Sequence, residues 1–144
     1  MKTLSILIPV FNEAKTILQV IDLVERVTLP NIKKEIIVIN DGSTDETLSL
    51  LTEKSGITLI TQERNFGKGF AIRTGINQVT GDIVLIQDAD LEYDPNDYAA
   101  LIKPILSNEA DVVYGSRRLN KLNKKHSGLQ YYIGGVSLTL FTNL

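Results

Sequence analysis

Short apolar runs alternate with stretches of helical periodicity along most of the chain. Residues 4–8 predict a first buried strand, and residues 35–39, rich in β-branched side chains, a second. Between them Ile17, Val20, Ile21 and Val24 recur at the spacing of one helix face. They predict a helix from Glu13 to about Val27, with Asn12 as its N-cap. Ser43-Thr44-Asp45-Glu46 matches a capping box and opens a second helix to about Lys54, stopped at Gly56. Residues 57–61 predict a third strand, and residues 69–79 a helix ended by Gly81. Residues 83–87 predict a fourth strand. Asp94-Pro95 reads as an N-cap followed by proline at the first helical position, for a helix to about Leu106. Residues 111–114 read as a fifth strand. Strands alternating with helices predict an α/β fold with a mostly parallel sheet and flanking helices.

At 144 residues the chain is long enough for one domain with a real core, and no linker or internal repeat divides residues 1–144. A hydrophobic fraction of 43% is ordinary for a globular protein. The net charge of -2 argues against a general nucleic-acid binder, but the charges are segregated. Residues 82–102 carry six acids and no Lys or Arg, whereas no acid follows Asp111 and Arg117, Arg118, Lys121, Lys124 and Lys125 crowd one stretch. With no cysteine and one histidine, His126, disulfides and thiolate or multi-histidine zinc sites are excluded. No secretory signal is evident, so a cytoplasmic or cytoplasm-facing location is expected. Residues 129–144 are uncharged but short of the ~20 residues of a membrane span, with nothing polar after them. The chain is therefore expected to be truncated at its C-terminus.

Asp88 and Asp90 stand at i and i+2 where the fourth apolar run ends. In an extended strand such positions point to one side, so both carboxylates leave the sheet together. Two hard oxygen ligands can hold a divalent cation, and Mg2+ or Mn2+ suits an oxygen-only site. The competing reading is a pair of solvated loop acids ahead of a helix cap. Glu92 and Asp94 add like charge, and neither Gln87 nor Ala89 supplies a cation, which favours a bound metal as neutraliser. Asp41 follows the second strand directly, where ligands bind in open parallel sheets, and could accept from a base N–H or a ribose hydroxyl. Asn40-Asp41-Gly42-Ser43 is equally good turn chemistry, the simpler reading of that segment alone.

Arg64-Asn65-Phe66-Gly67-Lys68-Gly69 has the look of a phosphate loop. It is not a Walker motif, because Gln62 and Gly69 occupy the positions of the first Gly and the Ser/Thr, and Ile72 breaks the dinucleotide-binding pattern. Lys68 is by default an exposed charge; alternatively it joins a helix N-terminus in facing an anion. Arg117, after the fifth run, offers a planar fork suited to a phosphate. Arg118 and the following lysines read as surface charge or as attraction to a membrane surface, and His126 as a surface residue.

Taken in order, five segments resemble glycosyltransferase family 2, in the branch of dolichyl-phosphate mannosyltransferase and bacterial polyprenyl-phosphate glycosyltransferases. They are Ile8-Pro9-Val10-Phe11-Asn12-Glu13, Val38-Ile39-Asn40-Asp41-Gly42-Ser43-Thr44-Asp45, Arg64-Asn65-Phe66-Gly67-Lys68-Gly69, Gln87-Asp88-Ala89-Asp90-Leu91-Glu92 and Gly115-Ser116-Arg117. Each is weakly specific alone; the ordered set spans nearly the whole chain. The resemblance implies the nucleotide-sugar-binding A-type glycosyltransferase fold, which is Rossmann-like. It implies Pro9, Phe11, Glu13 and Asp41 around base and ribose, Asp88 near ribose and metal, and Asp90 as direct metal ligand. Glu92 falls where the mannosyltransferase branch has a further metal-binding position, at which Gln also occurs, and Arg117 where a residue meets the acceptor phosphate.

The expected activity is a metal-dependent, inverting transfer of a hexose from a UDP- or GDP-sugar to a polyprenyl phosphate at the cytoplasmic membrane face. The membrane contact is expected through the missing C-terminal region. A hydroxyl acceptor would need a general base, whereas a phosphate monoester, with a second pKa of roughly 6, is already ionised. No dedicated base is evident, nor the downstream acidic motif of family members that glycosylate hydroxyls. Truncation explains that absence equally well, so a family 2 enzyme with a hydroxyl acceptor in cell-surface polysaccharide synthesis stays open. So does an inactive nucleotide-binding fragment. A sugar nucleotidyltransferase would carry a Gly-rich basic loop where Pro9-Val10-Phe11-Asn12-Glu13 stands, and a phosphoacceptor domain would place its acids differently.

Overall fold

The central apolar runs become strands that are buried on both faces, which explains why they read as near-continuous hydrophobic sequence. The computed structural model describes residues 1–116. Its elements are β1 (Lys2–Val10), α1 (Ile17–Arg26), β2 (Ile32–Asn40), α2 (Thr47–Glu53), β3 (Thr58–Thr61), α3 (Lys68–Ile76), β4 (Ile83–Ile86), a 3-10 turn (Pro95–Asp97) and α4 (Tyr98–Leu106). They belong to a unit spanning Met1–Asp111; a second unit begins at Val112.

The sheet is parallel throughout, in the order β3-β2-β1-β4. β1 and β2 pair over their whole length, from Lys2 opposite Ile32 to Val10 opposite Asn40, so both outgrow the apolar runs that announce them. On one face Leu4, Ile6, Ile8 and Val10 pack with Ile17, Val20, Ile21 and Val24 of α1 and with Tyr98 and Ile102 of the α4 helix. On the other, Leu7, Ile37 and Ile39 pack against Ala71 of α3. Truncating a fully buried residue such as Leu7 to Ala would cost ~2–5 kcal/mol, far more than any exposed contact supplies.

The chain winds from β1 outward to β3, then returns to place β4 on the other side of β1. The carboxyl ends of β1 and β4 therefore flank the topological switch point, where α/β sheets bind ligands.

Three local expectations are corrected. The first helix begins at Ile17 rather than Glu13, and Asn12 does not cap it. Its Oδ1 instead accepts from the Thr44 amide at 2.8 Å, and its own amide donates to Ser43 Oγ at 3.0 Å. The capping box ahead of α2 does not form either. Asp45 Oδ1 accepts from the Thr47 amide at 3.0 Å, and Oδ2 from Ala14 at 3.2 Å. These groups stitch the loop after β1 to the loop after β2 rather than each closing its own helix. Thirdly, residues 111–114 are not a strand. A strand exists only when its amides and carbonyls are paired, and no described residue pairs with them; Val112 and Tyr114 are exposed. The Asp94-Pro95 reading holds, with Asp94 accepting from the Asn96 amide and Pro95 in the first turn.

Candidate functional site

Three loops leaving the carboxyl ends of β1, β2 and β4, together with the start of α3, enclose a cleft of about 310 Å3. Pro9, Phe11 and Glu13 line it from β1 and its loop, Asp41 from the end of β2, Lys68 from α3, and Asp88 and Asp90 from the end of β4. Seven residues scattered over 82 positions of sequence thus share one wall. Val10, Asn65, Gly67 and Ala89 complete it. Glu92 does not line the cleft, and Arg117, with the basic stretch behind it, lies outside the described residues.

Asp41 is 2% exposed, and both of its oxygens are engaged. Oδ1 accepts from the Phe66 amide at 2.9 Å and Oδ2 from the Gly67 amide at 2.8 Å. The carboxylate thereby ties the loop before α3 to the end of β2. Gly42 makes the approach possible. It has φ +67°, and a Cβ there would stand 2.3 Å from the Arg64 carbonyl carbon. Gly67, at φ +94°, then turns the chain into α3, whose first turn points at the cleft. A helix N-terminus with a lysine in its first turn favours an anion. Around the loop, Phe66 stacks on Phe70 at 4.8 Å, and the Arg64 guanidinium lies 4.9 Å from the Phe66 ring centre.

The acid pair shares one side as expected, but β4 ends at Ile86 and a turn at residues 89–90, not an extended strand, brings the two together. Asp88 and Asp90 face the cleft while Ala89 between them is buried in the core. The countercharge absent from the neighbouring sequence comes from 20 residues upstream, where the Lys68 ammonium pairs directly with Asp88 Oδ1. A metal is therefore not the sole neutraliser of these acids, contrary to what the sequence around them suggests. Asp90 Oδ1 accepts from the Glu92 amide at 3.0 Å, closing the loop on itself.

Among the described residues no group of three or more His, Cys, Asp or Glu side chains is gathered as a metal cage. Mg2+ and Mn2+ do not require such a cage when a diphosphate is present. One or two carboxylates plus phosphate oxygens and water complete the shell. Asp88 and Asp90 on one wall of a cleft are a donor set of that kind.

Sequence reasoning missed Gln87 and Tyr98. Gln87 is 1% exposed. Its Nε2 donates to the Asp88 and Tyr93 carbonyls at 3.0 and 3.3 Å, and its Oε1 accepts from the buried Tyr98 hydroxyl at 2.7 Å. Burial pushes the Tyr98 hydroxyl well above the ordinary tyrosine pKa, so it stays a donor at any physiological pH. The one available signal was a polar residue ending an otherwise apolar strand.

A parallel α/β sheet with this cleft at its switch point defines the nucleotide-sugar-binding, A-type glycosyltransferase fold, as the solved structures below bear out. The chain belongs to glycosyl transferase family 2, whose sequence profile matches residues 5–141. It is 34% identical to an uncharacterised protein of Methanocaldococcus jannaschii, over 96% of this chain and 56% of that protein. It is 36% identical to the undecaprenyl-phosphate 4-deoxy-4-formamido-L-arabinose transferase of Yersinia pestis, over 83% of this chain and 38% of that one. Among solved structures, a mannosyltransferase of Pyrobaculum calidifontis in complex with GDP-Man and Mn2+ superposes with TM-score 0.60 at 31% identity, over 67% of this chain and 30% of that one. Glucosyl-3-phosphoglycerate synthase of Mycobacterium tuberculosis, in complex with Mn2+, UDP and glucosyl-3-phosphoglycerate, gives TM-score 0.62 at 31% identity, over 74% and 40%. The chain thus spans between about a third and a little over half the length of these relatives.

Proposed function

We propose that the chain forms the donor-binding part of a metal-dependent inverting glycosyltransferase that moves a hexose from a UDP- or GDP-sugar to a polyprenyl phosphate. The observation that carries this reading is the meeting of Asp88, Asp90 and Lys68 with Asp41, Glu13, Phe11 and Pro9 in one cleft at the switch point. Asp90 and Asp88 would hold Mg2+ or Mn2+, which when bound supplies positive charge to a leaving diphosphate. Lys68, beside Asp88 and at the N-terminus of α3, adds a second positive group on the same side. The Phe11 ring, 41% exposed at the cleft, offers a face to a base, and Glu13 a carboxylate to a ribose or base N–H. In the transfer, an acceptor phosphate oxygen bonds to the anomeric carbon from the face opposite the departing diphosphate, and the bond to that diphosphate breaks. An ionised phosphate needs no proton removed. Arg117 is proposed to meet that phosphate.

Support for the acceptor comes from the Yersinia relative, named for transfer to undecaprenyl phosphate. Support for the metal and donor comes from structural relatives solved with Mn2+ and GDP-Man or UDP. A second reading, a non-lipid acceptor, is favoured by the glucosyl-3-phosphoglycerate synthase likeness. The proposed place of action is the cytoplasmic membrane face. No helix among the described residues is long and apolar enough to cross a membrane.

The test is a thermal-shift screen of UDP-, GDP- and dTDP-sugars with and without Mn2+, followed by calorimetry on Asp90→Ala. Metal-dependent binding lost in the variant supports the site. Equal binding by parent and variant with Mn2+ present removes it. Binding without transfer to either a polyprenyl phosphate or a soluble phosphate acceptor leaves a nucleotide-binding module.

A further inference from the structure

The acid loop has an internal brace that lies outside the cleft lining: Gln87, which opens the motif, and Tyr98, which lies beyond it. Residues 88–93 form a short excursion between β4 and the turn that leads into α4. Leu91 in its middle adopts φ +64°, a conformation that a branched side chain disfavours, and the local Asp90–Glu92 hydrogen bond works against that preference. Gln87 spans it, because its amide donates to the carbonyl at the loop's first residue, Asp88, and to the carbonyl of Tyr93 near its end. The other end of the same amide is fixed by the Tyr98 hydroxyl, from the first residue of α4. Both side chains are buried, at 1% and 2% exposure, and Ala89 is packed beneath the loop in the same cluster as Tyr98.

We propose that Gln87 and Tyr98 are a positioning pair that sets the loop's shape and thereby the separation of the Asp88 and Asp90 carboxylates. The pair touches no ligand; it acts through the loop. This deepens the reading of the cleft as a donor and cation site and rests on it. The geometry is demanding. A glutamine amide has donors on one nitrogen and an acceptor on one oxygen, and here each end meets the partner it requires. A glutamate could accept from Tyr98 but could not donate to the two carbonyls, and an apolar side chain could do neither.

The experiment separates positioning from packing. In a Gln87→Met/Tyr98→Phe double variant both members of the pair become apolar groups of similar size, which leaves neither partner buried and unpaired. Its melting temperature is expected to fall by only a few degrees, because the burial is kept while the part-buried Asp88 and Tyr93 carbonyls lose a donor. Hydrogen exchange at the amides of residues 88–93 in the free protein is expected to quicken at least tenfold. Affinity for UDP or GDP in the presence of Mn2+ is expected to fall at least tenfold. Loop exchange within twofold of the parent overturns the proposal, as does unchanged nucleotide affinity in a parent that binds. Should the parent bind no nucleotide, the donor-site reading falls, while loop exchange still decides whether the pair shapes the loop. Tyr98→Phe, which removes one hydroxyl, covers the case of a double variant that does not fold. It is expected to speed exchange about threefold, and no change there overturns the brace.

Discussion

Asp41 Oδ2 accepts the Gly67 amide at 2.8 Å, a bond that reaches across 26 residues and joins the end of β2 to the start of α3. With the neighbouring bond from Phe66 it makes Asp41 the anchor of the loop that carries Lys68 to the cleft. A carboxylate oxygen has two acceptor sites, so each can serve an amide and still take a donor from a ligand. The expectation that Asp41 meets base or ribose and the observation that it holds a loop are thus compatible.

Asp41→Ala leaves two amides without their acceptor at a buried position. An unpaired buried donor costs ~1–3 kcal/mol, and partial exposure of the loop places the sum near about 2 kcal/mol. Asp41→Asn, which keeps one acceptor oxygen, should lose about half as much. Urea unfolding measures both. A loss under about 0.5 kcal/mol for the alanine variant would show that the loop is not anchored there.

Gly42 and Gly67 both adopt positive φ, yet alanine should harm them unequally. At Gly42 the new methyl meets the Arg64 backbone at 2.3 Å, whereas at Gly67 nothing lies within 4 Å. Gly67→Ala therefore incurs only the backbone cost of φ +94°, ψ 154°, a conformation essentially reserved for glycine, ~1–3 kcal/mol, while Gly42→Ala adds displacement of the anchored loop. Thermal unfolding should rank Gly42→Ala clearly below Gly67→Ala, and the reverse order would contradict the close approach.

These two positions also mark what sequence could and could not reveal. β1 and β2 were legible because central parallel strands are buried on both faces and leave a run that needs no context. The acids at 88 and 90 were legible from their place just past an apolar run, although β4 ends at Ile86 and a turn, not strand alternation, brings both to the cleft. Asn12 and the Ser43–Glu46 capping box were misassigned because these residues have local helix-capping chemistry but are used across loops, Asn12 on Thr44 and Ser43 on the Asn12 amide. Lys68 as the partner of Asp88, and Tyr98 as the partner of Gln87, are long-range pairings. No periodicity encodes such a pairing; it exists only once the sheet has set the loops side by side.

Acid should act through two carboxylates away from the cleft. Burial raises the Glu35 pKa, but hydrogen bonds from Ser5 and Thr80 outweigh it and hold the group below its ordinary value. Hydrogen bonding by Thr47, then by the Thr47 and Ala14 amides, holds Asp45 below its own. A carboxyl depressed on folding contributes stability that is complete above its unfolded pKa, roughly 4, and is lost as pH falls through the folded value. Stability from these two groups should thus be flat near neutrality and decline below about pH 4. Glu35→Gln and Asp45→Asn should flatten that decline in pH-dependent urea unfolding. An unchanged acid limb in both variants would remove these groups from the account.

Lys68 gives the sharpest separation between holding the fold and serving the cleft. Its ammonium pairs with Asp88, but the lysine side chain is 56% exposed, and pairs of that kind contribute ~0–1 kcal/mol to stability. Lys68→Met, which keeps the stem and removes the charge, should therefore barely move the unfolding midpoint. Its effect on ligands should depend on which ligand is offered. Towards Mn2+ alone, Lys68 competes for the Asp88 carboxylate, so removing it should tighten metal binding severalfold. Towards a nucleoside diphosphate with Mn2+, Lys68 would, on the proposed reading, be one of the positive groups facing the phosphates. Its loss should weaken binding by about tenfold, the equivalent of ~1.4 kcal/mol. Calorimetry with Mn2+ alone and with Mn2+ plus UDP or GDP reads the two signs in one protein. Opposite signs place Lys68 between the metal carboxylate and the diphosphate. Equal and parallel losses would mean that it only shapes the loop, and no change in either would return it to an ordinary surface charge.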